Sequence, residues 1–70
     1  MFRGVDLVAL REERGLSQTA VSKRAGISRS ALAKIESGRS VPTIETLLKL
    51  ANSMKLPLTK FLQSVGLLRR

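Results

Sequence analysis

Seventy residues with thirteen Lys or Arg against five Asp or Glu, a formal charge of +8, make a chain long enough for one compact core and too short for two. The absence of cysteine and histidine excludes disulfides, metal sites built on nitrogen or sulfur ligands, and thiol or imidazole catalysis. A hydrophobic content of 43% excludes a disordered basic tail.

In chain order, Asp6 is placed to cap a first helix over Leu7–Arg14, with Leu7 and Leu10 one turn apart and Gly15 at its end. Ser17 precedes a second helix, Gln18–Ala25, whose inner edge is Val21 and Ala25 and which Gly26 closes. Ser28 caps a third, Arg29–Ser37, ended by Gly38; an Arg-Ser-Val-Pro loop follows, where Pro42 forbids helical continuation. Thr43 caps Ile44–Met54, in which Ile44, Leu47, Leu48, Ala51 and Met54 repeat with a helical period and form the predicted core stripe. Pro57 suits an early position of a fifth helix, marked by Leu58, Phe61, Leu62 and Val65 before Gly66, and residues 66–70 form a tail. With no alternating β-branched run and no internal repeat, the expectation is all-α: a compact five-helix bundle in a single domain over residues 1–70.

The acids Asp6, Glu12, Glu13, Glu36 and Glu45 mostly lie within one helical turn of an Arg or Lys. Surface pairing is therefore preferred over carboxylate catalysis, and no enzyme is expected. The longest uncharged apolar run, Leu7 to Leu10, is far below the roughly 18 residues needed to span a bilayer, so a soluble, cytoplasmic protein is expected. Nothing in the sequence implies a cofactor, a metal or a small-molecule effector.

The third helix carries the most informative surface. At about 100° per residue, Arg29, Ser30, Ala33, Lys34 and Ser37 fall on one face about 140° wide, opposite Ala31, Leu32 and Ile35. That face is low and basic, and it suits either solvent or a DNA major groove, where Arg29 and Lys34 can donate to guanine O6 and N7. Residues 22–40 hold Lys23, Arg24, Arg29, Lys34 and Arg39 against Glu36 alone, which favours the groove. The helix starts at Ser17/Gln18 and Ser28/Arg29 add N–H donors suited to phosphate oxygens. Arg3, Lys49, Lys55, Lys60, Arg69 and Arg70 have no assigned contact and serve to raise nonspecific affinity.

Two short helices joined by a Gly-containing turn, the second with a basic outer face, form a helix-turn-helix arrangement. Leu10-Arg11, Gly15-Leu16-Ser17-Gln18, Gly26-Ile27-Ser28, Ile35-Glu36-Ser37-Gly38, Pro42 and Leu47-Leu48-Lys49-Leu50-Ala51 resemble the Cro/C1-type (XRE) helix-turn-helix family of lambdoid phage repressors over about residues 5–64. The resemblance implies a lambda repressor-like DNA-binding domain of prokaryotic or phage type. It also implies phosphate binding by Gln18, which buttresses recognition side chains, and base contacts by Arg29, Ser30 and Lys34, with the Ala33 methyl placed to meet thymine. Ser37, Arg39, Ser40 and Thr43 match the loop that grips the backbone, so the phosphate set comprises Ser17, Gln18, Ser28, Ser37, Arg39, Ser40 and Thr43. Arg11 and Glu36 match a partly buried ion pair that ties the first helix to the end of the third. Ser22 replaces a usual small Ala, and its hydroxyl is expected to bond the Gln18 carbonyl. Arg29 and Lys34 stand where the family often carries Gln or another polar residue; guanine is the expected target of Arg29.

The family implies a transcriptional regulator, a repressor above all, that reads a palindromic operator in double-stranded DNA as a homodimer, with half-sites about 34 Å apart. Leu58, Phe61, Leu62, Leu67 and Leu68 are the dimer candidates, core packing being the alternative for the first three. Two other binding functions stay open. An RNA-binding module is disfavoured because the two aromatics, Phe2 and Phe61, lie off the basic face. An antitoxin-type module that holds a toxin partner and autoregulates its operon is compatible with the same residues.

Overall fold

The computed structural model describes residues 1–69, and Arg70 of the expected tail lies outside the described residues. Five helices, α1 Gly4–Glu13, α2 Gln18–Ala25, α3 Arg29–Glu36, α4 Ile44–Ser53 and α5 Leu58–Ser64, pack within 30 × 24 × 21 Å. The described residues contain no strand, and none of their helices is long and apolar enough to cross a membrane.

Three starts follow from hydroxyl caps. Ser17 Oγ accepts from Ala20 N at 3.0 Å, Ser28 Oγ from Ala31 N at 3.0 Å, and Thr43 Oγ1 from Thr46 N at 3.1 Å, each satisfying a donor that an uncapped helix leaves free. The α2–α3 turn is equally local. Gly26 takes a left-handed conformation (φ 71°) and its N–H bonds the Lys23 carbonyl, while Ile27 N–H bonds the Ser22 carbonyl, the closure that glycine permits without a Cβ penalty.

The first helix departs from expectation. It starts at Gly4, its N-cap is Arg3 with no side-chain cap bond, and Asp6 sits inside the first turn, 3.6 Å from Arg3 Nε. The cause is a long-range contact: a Cβ at Gly4 would collide with the Glu36 carbonyl oxygen, so only glycine lets α1 begin against the end of α3. Pro57 is the N-cap of α5 rather than a helical residue. Ser22 Oγ donates to the Thr19 carbonyl, 3.1 Å away, and not to that of Gln18.

The core is built on Leu7, Val21, Leu32, Leu50, Phe61 and Val65, all fully buried, with α2 packed on α3 and α4, and α1 on α3 and α5. The stripe of α4 is corrected. Leu47, Leu50, Ala51 and Met54 are buried, whereas Ile44 is 76% and Leu48 46% exposed. The buried stripe is thus turned about 45° from the one read by periodicity, because α2 and α5 together meet only one side of a wide apolar arc.

Candidate nucleic-acid interface

The ends of α2 and α3 are fixed by one buried carboxylate. Arg11 Nε donates to Glu36 Oε2 at 2.8 Å and Arg11 Nη2 to Oε1 at 3.2 Å, while Gln18 Nε2 donates to the same Oε1 at 2.8 Å. The remaining guanidinium nitrogen reaches the Leu16 carbonyl at 2.8 Å. With 11% of the Arg11 and 5% of the Glu36 side chain exposed, the pair is shielded from water and salt, and its groups are hydrogen-bonded as such a pair requires. The chain α1–Glu36–Gln18 therefore orients α3 against α2. Nothing in residue order signals this side-chain contact between Gln18 and Glu36, 18 residues apart.

Around this anchor α3 divides as its periodicity predicts, with Leu32 and Ile35 in the core and Arg29, Ser30, Lys34 and Ser37 exposed; Ala33 is half-buried. Ser30, Ala33, Lys34, Ser37 and Arg39 line one open concavity of about 290 Å³. A second groove, of about 410 Å³, runs between α3 and the start of α4 and is lined in part by Ser28, Ser30, Lys34, Ser40, Thr43 and Thr46. Arg29, Ser17 and Gln18 line neither groove. Sequence reasoning passed over Thr46, whose hydroxyl lies 3.0 Å from that of Thr43; its place one turn beyond the Thr43 cap is the signal that could have found it.

The loop after α3 folds back tightly. The Lys34 carbonyl accepts from Arg39 N at 2.9 Å and Ser40 N at 3.2 Å, and also from Ser37 Oγ at 3.1 Å. This turn sets the exposed Arg39 beside Lys34 on the same rim. The resulting surface carries two cations and several hydroxyls without an acid, which suits an anionic polymer. Of the unassigned cations, Arg3 and Lys49 have acidic partners, Asp6 at 3.6 Å and Glu45 at 3.5 Å.

Among the dimer candidates, Phe61 is fully buried and Leu62 packs half-buried against the core. Phe61 is thus unavailable to a partner, because α5 spends that face on α1 and α4. Leu58, Leu67 and Leu68 are 37%, 37% and 43% exposed.

Residues 7–61 match the family described as helix-turn-helix, HTH_3. The chain is 34% identical over 61 residues to the HTH-type transcriptional regulator SutR of Escherichia coli K12, covering 87% of this chain and 34% of that protein. It is 38% identical over 64 residues to the HTH-type transcriptional repressor RghR of Bacillus subtilis 168, covering 90% of this chain and 47% of the relative. This chain therefore spans a third to a half of the length of these two relatives. Among solved structures it resembles the master regulator for biofilm formation SinR in complex with DNA, with a TM-score of 0.74 and 27% identity over 84% of this chain and 95% of that one.

Proposed function

This chain belongs to the HTH_3 helix-turn-helix family, and we propose that it is a sequence-specific DNA-binding transcriptional regulator, a repressor that places α3 in the major groove of a palindromic operator. The observation that carries this reading is the acid-free rim on which Ser30, Ala33, Lys34, Ser37 and Arg39 converge. The likeness to SinR bound to DNA and to a named repressor supports it.

In this reading α2 crosses the DNA backbone, with the N-terminal turns at Ser17/Gln18 and Ser28 and the hydroxyls of Ser37, Ser40 and Thr43 near phosphates. Arg39 neutralises a phosphate, Arg29 and Lys34 read base edges, and the low profile of Ser30 and Ala33 lets the helix approach. Because one recognition helix reads only a few base pairs, two copies act together on half-sites about 34 Å apart. The protein works where the DNA is, in the cytoplasm, and represses by occupying its operator.

Selection of bound sequences from a random duplex pool at near-physiological salt tests this. Enrichment of a palindrome with guanine at a fixed place in each half-site is the expected result. Recovery of unenriched sequences, at an affinity equal to that for random duplex, overturns the reading.

A further inference from the structure

We propose that the exposed apolar flank of α4, Val41, Ile44 and Leu48, is the surface on which a second copy of this chain docks. This deepens the dimer reading above and rests on it. Val41 is 81%, Ile44 76% and Leu48 46% exposed. On α4, Ile44 and Leu48 lie within about 40° of each other and form one strip beside the buried Leu47 and Ala51, while Val41 stands in the loop just before the helix. Such a strip stays in water unless a partner covers it.

Charge selects the partner. Two copies of a +8 chain repel each other over most of their surfaces, and the alternative apolar residues at the C-terminal end, Leu58, Leu67 and Leu68, stand among Lys60 and Arg69. Between Arg39 and Lys55, by contrast, the only charges are Glu45 and Lys49, which cancel. Both are exposed, 79% and 47% of their side chains, and flank the apolar strip 3.5 Å apart. A two-fold axis through the strip runs α4 antiparallel to its copy, turning Glu45 toward the partner's Lys49 and Lys49 toward the partner's Glu45, the reciprocity an isologous interface requires. The surface is therefore complementary to itself. It also adjoins the groove between α3 and the start of α4, which Val41 lines together with Lys34, so pairing here holds the two reading helices in a set relation.

Sedimentation velocity at increasing concentration, alone and with a palindromic duplex, tests the assignment. Glu45→Lys and Lys49→Glu should each weaken the dimer about tenfold, since two symmetry-related ion pairs turn repulsive. An equimolar mixture of the two variants should regain wild-type association, and so should the double variant, which should pair with wild type about tenfold more weakly. Ile44→Ser should weaken association at least about tenfold while the thermal midpoint of the dilute monomer stays unchanged. A wild-type dimer that persists through all these variants overturns the surface and leaves the dimer reading standing. A wild type that stays monomeric and loads one copy per palindrome overturns both.

Discussion

Glu36 and Glu45 each pair with a cation, yet their surroundings differ in every respect that sets the strength of a pair. Glu36 bonds Arg11 at 2.8 Å across 25 residues of chain, with 5% of its side chain exposed. Glu45 meets Lys49 one turn away at 3.5 Å, with 79% exposed. In the first, water and salt are excluded and Gln18 completes the carboxylate's bonding, so the pair behaves as a tertiary lock. In the second, solvent screens the charges, and the pair contributes little to folding while remaining free to exchange partners. Proximity in sequence thus says little about what an ion pair does; burial decides it.

The sharpest way to break this comparison is Glu36→Ala, which strands the buried Arg11 charge and frees Gln18. It should cost about 3–5 kcal/mol, read from the urea midpoint, and a cost below about 1 kcal/mol would place the pair in the same class as a surface one. Gly4→Ala probes the same lock from the backbone side. The added methyl has no room against the Glu36 carbonyl and should cost about 1–3 kcal/mol, with the loss reporting whether α1 can withdraw from α3.

Binding separates the two regions further. Lys34→Ala should lose about 1–3 kcal/mol of discrimination at one base position, whereas Arg39→Ala should weaken every sequence alike and reduce the salt slope by about 1. Titrations on specific and random duplexes over a range of salt measure both, and identical behaviour of the two variants would remove the assigned division of labour. The smallest effect is expected from Glu45→Ala, whose thermal and urea midpoints should stay within about 0.5 kcal/mol of wild type; a larger loss would show that α4 depends on this pair.

The helix-turn-helix was legible because its signals are short-range. Ser17, Ser28 and Thr43 cap the turns that follow them, and Gly26 turns the chain by its own conformation. The division of α3 into a core side with Leu32 and Ile35 and an outer side with Arg29, Ser30 and Lys34 follows from the helical repeat alone. α4 was harder to read. Its apolar arc is wider than the strip that α2 and α5 cover, and periodicity supplies the centre of the arc without saying which edge stays in water. The helical repeat therefore places Ile44 and Leu48 in the core and omits Leu50, whereas the fold exposes the first two and buries the third.

By itself the sequence determined the helices, the tight turn and the basic outer face, since capping, glycine conformation and side-chain direction act within a few residues. Only the tertiary structure decided where α1 begins, which edge of α4 is left bare, and that Gln18 is held by Glu36. Each of these depends on atoms brought together from distant parts of the chain, and such contacts have no local signature because packing, not residue order, selects them.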